Sequence, residues 1–172
     1  MDGKVLIAYA SKYGATAEIA GRIGQGLREA GLSIDVLPAI RVRDLTPYRA
    51  VVLGSAVYMF QWRKEAAGFL KANEKALVKL PVWLFSSGPL GGSDAVGFLA
   101  GATFPKALQH FADRIHPQDI AIFHGAMDLE KLNSVEKYMV KNWKSPLGDF
   151  RDWEIIDAWA HSISDKLLRE TS

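Results

Sequence analysis

The sequence contains no cysteine, which excludes disulfides, thiolate metal sites and a catalytic thiol, and fits a reducing compartment. Any redox chemistry must therefore be borrowed from a bound group. Long apolar runs are also lacking. Only Lys4 precedes a short apolar strand, so the N-terminus does not read as a secretory signal, and no run approaches the length that spans a bilayer. The protein is expected in the cytoplasm. Two phosphate signatures are missing: no Gly-Lys-Ser/Thr ending for a nucleoside triphosphate, and no G-x-G-x-x-G for a dinucleotide. Ala8, Tyr9 and Ala10 stand where a phosphoryl receiver would need acidic residues. His110, His116, His124 and His161 have neither a carboxylate cluster nor metal-ligand spacing, so no metal is expected. No period repeats and no segment is of low complexity, which excludes solenoids and tails.

Charge of one sign is scarce overall, with a formal net charge of +2, but it is unevenly spread. Residues 1–86 carry 12 Lys and Arg against 7 Asp and Glu, whereas residues 87–172 carry 9 against 12. The basic residues are neither dense nor interleaved with aromatics, so nucleic acid is not an expected partner. At 172 residues, 49% of them hydrophobic, the chain can bury a substantial core as one domain over 1–172.

What is present centres on residues 4–20. A short apolar run from Val5 gives way to Ser11-Lys12-Tyr13-Gly14-Ala15-Thr16 and then to apolar positions Ala20, Ile23, Leu27 and Ala30 at helical spacing. That pattern is strand, tight loop, helix. Loop amides and the first helical turn converge where an anion can sit, with hydroxyls from Ser11 and Thr16 and charge from Lys12. Gly14 allows a positive φ. The plain alternative is an ordinary strand-to-helix turn with Thr16 as a helix cap.

Further strands are expected at Ser33–Leu37, Ala50–Ser55, Pro81–Ser87 and Ile120–Phe123, with helices over 64–78, 105–114, 129–143 and from Trp153. Two helical stripes read as core: Leu132, Val135, Met139 and Trp143, and Ile156, Ala160, Ile163 and Leu167. Alternating strands and helices predict a parallel sheet covered on both faces, with ligands beyond the carboxyl ends of its strands. The strand-end loops are 11–16, 55–62, 87–103 and 124–128. The second carries Tyr58, Phe60 and Trp62, and the rings of Tyr58 and Trp62 suit a planar ligand such as a flavin, or else pin the loop to the next helix. The third holds five glycines within 88–103 and reads as a lid or as disorder. His124 ends a strand on the ligand side, as a donor to ligand or as a structural residue.

These features resemble the flavodoxins, whose phosphate loop reads Thr/Ser-x-Thr-Gly-x-Thr; Ser11, Gly14 and Thr16 match it, and Tyr13 replaces a hydroxyl-bearing residue. Within that superfamily the opening Ala10–Thr16, the Gly54-Ser-Ala-Val-Tyr58 loop and the extra helix before Asp152-Trp-Glu look like the menaquinone-dependent protoporphyrinogen IX dehydrogenases. Between strand four and its helix the chain has a glycine-rich segment with one charge, Asp94, where that family often carries a longer basic insert. The resemblance implies a flavodoxin-like three-layer α/β sandwich, a five-stranded parallel sheet in the order 2-1-3-4-5, and FMN as cofactor. It implies cofactor contacts from Ser11, Lys12, Tyr13, Gly14, Ala15 and Thr16, from Ser55, Ala56, Val57 and Tyr58, and from Ser86, Ser87, Gly88, Pro89, Leu90 and Gly91. Trp62, Arg63, Lys64 and His124 are the expected substrate contacts, the two cations reaching porphyrinogen propionates. Oxidation of a porphyrinogen with a quinone as acceptor, at the inner face of the membrane, is the activity implied. No catalytic side chain is assigned, because a flavin itself accepts hydride. Two other classes stay open: an FMN electron carrier between redox proteins, and a flavin-free interaction domain.

Overall fold

The computed structural model describes residues 3–88, 103–143 and 147–170. The first strand, β1 (Lys4–Ala10), carries Val5, Leu6, Ile7 and Ala8 with no exposed surface, as a strand covered on both faces requires. Helix α1 (Ala15–Glu29) follows, and Gly31, at φ +90, ends its chain direction where expected: the Gly31 N–H donates to Arg28 O and the Leu32 N–H to Leu27 O. Then come β2 (Ile34–Pro38), β3 (Tyr48–Tyr58), the two-residue β4 (Gln61–Trp62), α2 (Lys64–Leu77) and β5 (Val82–Gly88). The chain resumes through α3 (Gln109–Ile115), β6 (Asp119–His124), β7 (Ala126–Met127), α4 (Ser134–Trp143), β8 (Gly148–Asp149) and α5 (Trp153–Arg169).

The sheet runs β2-β1-β3-β5-β6, all parallel, and β4 adds one antiparallel rung to the end of β3. With the two-residue β4 set aside, this is the expected order 2-1-3-4-5. Alternation along the strands divides the core into two layers. Leu6, Ala8, Val51, Leu53 and Leu84 face α2 and α3, where Leu70, Leu77, Phe111 and Ile115 meet them. Val5, Ile7, Val52 and Phe85 face α1 and α5. The stripe Ile156, Ala160, Ile163 and Leu167 is wholly buried in that second layer, and Asp152 caps α5 by accepting from the N–H groups of Glu154 and Ile155.

Three expectations change. The strand expected to stop at Ser55 continues to Tyr58 and folds back at Met59 and Phe60, both at positive φ, so 55–62 is a hairpin. The helix expected over 129–143 is a 3₁₀ turn at Leu129–Lys131 followed by α4. Its stripe is not core either: Leu132 is buried, but Val135 is 68% exposed, because α4 lies at the rim of the strand ends and not against the sheet. The Trp143 side chain and most of the glycine-rich 88–103 stretch lie outside the described residues.

Gly54 explains how β3 and β5 pack so closely. A Cβ there would fall 1.9 Å from the Phe85 ring, which lies over Gly54 and packs tilted against Phe123 and edge-to-face on Trp159 at centroid distances of 5.7 and 6.0 Å. Gly54→Ala should therefore cost about 2–3 kcal/mol as overpacking, read as a lower urea midpoint at unchanged slope, and Phe85→Leu added to it should restore part of the loss. An unchanged midpoint in the single variant would contradict this packing.

Candidate functional site

Because the five long strands of the sheet run the same way, the carboxyl ends of β1, β3, β5 and β6 share one edge, and a cavity of about 550 Å³ lies there. Ten of the residues singled out in the sequence line it: Ser11, Lys12, Tyr13, Ala15, Thr16, Ala56, Val57, Tyr58, Ser87 and Gly88. Its far wall comes from segments on both sides of α4, residues 125–132 and 147–151.

The floor is the start of α1. Gly14 is its N-cap at φ +97, a conformation that suits a residue without Cβ, and the first helical bond runs from Glu18 N to Gly14 O at 3.0 Å. The amides of Ala15, Thr16 and Ala17 come before that bond and have no helical acceptor. The Gly14 N–H instead donates to Ser11 Oγ at 3.0 Å, which leaves the Ser11 proton free to donate outward. Thr16 does not cap the helix; it sits inside the first turn, 1% exposed, with its hydroxyl 2.7 Å from that of Ser87 at the end of β5. Two hydroxyls hold two protons and use one between them, so the pair retains one proton for a guest. Amides, spare hydroxyl protons and the positive end of α1 thus meet on one spot, a cradle for an anion.

The other predicted residues divide. Ser55 and Ser86 are buried and structural: Ser55 Oγ accepts from the Arg63 N–H and donates to Ala56 O, and Ser86 Oγ accepts from Trp62 Nε1–H at 2.8 Å. Trp62 is 5% exposed with its ring edge-on to Phe104, so it is not a stacking partner for a ligand, and the hairpin buries it because β4 returns the chain to the sheet. Tyr58 lines the cavity, as does Tyr13. Arg63 lies on the other side of the 11–14 loop, in a separate hollow with Tyr9, Pro38 and Ile40, and pairs with Glu65 at 2.9 Å; Lys64 is exposed on α2 and lines neither cavity. The contact expected between these two cations and a substrate carboxylate has no basis in the main cavity. His124 is half-buried and is not part of its lining. Gly14 faces the second hollow, and Pro89, Leu90 and Gly91 lie outside the described residues.

Two cations at the cavity, Lys12 and Arg151, come already paired, which the sequence did not reveal; Lys131, also in the lining, has no ion pair among the described residues. The Lys12 ammonium and the Tyr13 hydroxyl both donate to the carboxylate of Glu136 on α4. Glu136 also closes a capping box, accepting from the Asn133 N–H at 3.0 Å while Asn133 Oδ1 accepts from the Glu136 N–H at 2.9 Å. Burial pushes the Glu136 carboxyl up, but the bonds from Lys12, Tyr13 and Asn133 outweigh it and hold the group below the ordinary carboxylate range. The bond to Glu136 raises Lys12 above the usual lysine value. On the opposite wall Arg151 forks onto Asp149 at 2.8 and 2.6 Å and reaches Glu18 in the first turn of α1. The Asn133-x-x-Glu136 spacing was a readable helix start; its partners, more than a hundred residues earlier, were not. Among the described residues no group of three or more His, Asp or Glu could hold a metal, and no helix is long and apolar enough to cross a membrane.

Comparison with known proteins adds the following. The sequence model of the family described as flavodoxin domain matches residues 6–153. A curated protein of Caulobacter vibrioides named NAD(P)H dehydrogenase (quinone) is 28% identical in an alignment of length 122 that covers 58% of this chain and 57% of that protein. The chain thus spans little more than half the length of such relatives. Flavodoxin 2 from Bacillus cereus superposes with a TM-score of 0.61 at 23% identity over 95% of this chain and 99% of its own. The rubredoxin:oxygen oxidoreductase of Desulfovibrio gigas superposes with a TM-score of 0.66 at 15% identity over 98% of this chain and 37% of its own. These two likenesses establish the fold.

The Glu136 contacts carry a pH dependence. A carboxyl held low by folding stabilises above its unfolded pKa of about 4.3 and loses that contribution as pH falls through the lower folded value; Lys12, held high, contributes below about 10.4 and loses it as pH rises further. Amide protection factors along α4, with the intrinsic pH dependence of exchange divided out, should therefore hold from about pH 5 to 10 and fall below about pH 4. Glu136→Gln should remove the acid step while the sheet amides stay protected; an acid step that persists in that variant would contradict the assignment.

Proposed function

Because the chain belongs to the flavodoxin domain family, we propose that its strand-end cavity holds FMN and that the protein is a flavin-dependent oxidoreductase acting on quinone-type substrates. The observation that carries this reading is the anion cradle at the start of α1, opening into a cavity walled by the Tyr58 ring. The residues fit the cofactor. A phosphate matches the unpaired amides of Ala15, Thr16 and Ala17 and the spare hydroxyl protons of Ser11 and of the Thr16–Ser87 pair, and a flat heterocycle matches Tyr58. One cradle without a second glycine-rich fingerprint favours a mononucleotide over FAD. Both core layers share one sheet, which supports reading 1–172 as a single FMN-binding domain.

Bound FMN supplies the hydride and electron chemistry; the chain's own task is to hold and orient it. The amides and hydroxyls at α1 fix the phosphate end. Tyr58 would hold the face of the ring, and burial pushes its hydroxyl above the usual tyrosine value. The apolar tip Met59–Phe60, next to Tyr58 in the hairpin, is exposed and suits a hydrophobic substrate. A quinone is favoured by the names of the curated relatives. A porphyrinogen rests on sequence resemblance alone, since Arg63 and Lys64 do not line the cavity. A cytoplasmic location at the inner membrane face, where quinones dissolve, is part of this reading. The exposed Met59 and Phe60 equally suit contact with another redox protein, so an electron carrier is the second reading.

Two measurements test the proposal. Thr16→Val should weaken FMN about tenfold or more and riboflavin little, since a hydrogen bond to a charged group is worth about 1.5–3 kcal/mol; equal losses for both flavins would remove Thr16 from the phosphate site. Steady-state assays with NAD(P)H and a soluble quinone should show turnover by the FMN-loaded protein. FMN binding without quinone turnover, together with rapid electron exchange with a redox protein, would move the assignment to the carrier.

A further inference from the structure

The loop that was expected to offer Lys12 and Tyr13 to an anion gives both to a carboxylate of its own chain. Lys12 Nζ donates to one oxygen of Glu136 and Tyr13 Oη to the other. The Glu136 side chain is 20% exposed, and its remaining capacity is used by the Asn133 N–H. The ammonium held there lies 5.0 Å from the centre of the Tyr13 ring and 5.8 Å from that of Tyr58, so it is fixed at the cavity rim between the cradle and the candidate stacking ring. Among the described residues, every side-chain hydrogen bond and ion pair between α4 and the rest of the protein runs through Glu136. Val135, Tyr138, Lys137 and Lys141 face solvent.

A helix capped by Asn133 does not need a carboxylate that also binds two side chains of a remote loop. The consequence is electrostatic: Lys12 is present but neutralised. Of the two other cations in the wall, Arg151 is neutralised in the same way by Asp149 and Glu18, and Lys131 stands on the far wall in the 129–131 turn. A phosphate arriving at α1 therefore meets amides, hydroxyls and the helix dipole, with no uncommitted side-chain cation from the loop.

Resting on the FMN reading, we infer that Glu136 is a positioning residue that sets how strongly the cavity prefers a phosphorylated guest, by holding Lys12 and Tyr13 away from the anion cradle. With Glu136 in place the guest is chosen by neutral donors, and the preference for FMN over riboflavin is moderate and weakly dependent on salt. Without it Lys12 becomes an uncommitted charge within reach of the phosphate, and the preference rises and becomes salt-dependent.

The test is the ratio of riboflavin to FMN dissociation constants, titrated into folded protein at low and high salt. Glu136→Gln should raise the ratio about tenfold at low salt, with most of the gain lost at high salt. Adding Lys12→Ala to Glu136→Gln should cancel the gain. Asn133→Ala, which weakens the start of α4 but leaves Glu136 its carboxylate, should not move the ratio, and Glu136→Asp should return it towards the native value. An unchanged or lower ratio in Glu136→Gln, or an equal rise in Asn133→Ala, would reduce Glu136 to a helix cap and overturn the inference. Inorganic phosphate is titrated in parallel by calorimetry. Should the native protein bind neither flavin, the FMN reading fails, yet Glu136→Gln must still bind phosphate more tightly in a Lys12-dependent way for the inference to stand.

Discussion

A parallel sheet covered on both faces pairs its backbone polar groups between strands and leaves only the strand ends open to a ligand, and here that constraint organises everything else. Val5 to Ala8, Val51 to Leu53 and Val82 to Phe85 are dry on both sides, so α1, α2, α3 and α5 must pack there and every connection must cross. The carboxyl ends of β1, β3, β5 and β6 then share one edge. The start of α1, with amides that precede its first hydrogen bond, is placed on that edge by the shortness of the 11–14 turn. The buried bond between Thr16 and Ser87 ties the first helical turn to the end of β5 and closes the floor.

Around that floor the protein has balanced its charges. Lys12 is held by Glu136, and Arg151 by Asp149 and Glu18. Both arrangements fasten late segments of the chain onto the first loop and the first helix. They also leave the cradle to be defined by dipoles and neutral donors, whose contribution is less sensitive to salt than that of free side-chain charges. The wall between 125 and 151 is thus an added layer on a sheet that is complete without it.

Much of this was readable in the sequence. The five long strands, the order of helices, the glycine that ends α1, the start of α5 at Trp153 and the shared edge of the strand ends follow from periodicity and from the rules of parallel sheets. The failures have local causes. Trp62 looked exposed because nothing in the sequence marks a hairpin turn at Met59 and Phe60, residues that seldom take positive φ. Val135 looked buried because helical spacing does not say whether a partner surface exists. Arg63 follows the loop in sequence but points to the far side of it. Glu136 and Arg151 were missed because their partners Lys12, Tyr13 and Glu18 lie more than a hundred residues away, which single-sequence patterns do not encode, and Asp149 with them because its role is to hold Arg151.

The central claim is that the cradle at α1 and the cavity above it are built for a flavin mononucleotide. The most direct measurement is to purify the protein without added cofactor, record its visible spectrum, and identify by chromatography the pigment released on denaturation. The account predicts a yellow protein that releases FMN. A colourless protein that takes up no added FMN, or one that releases FAD, would contradict it.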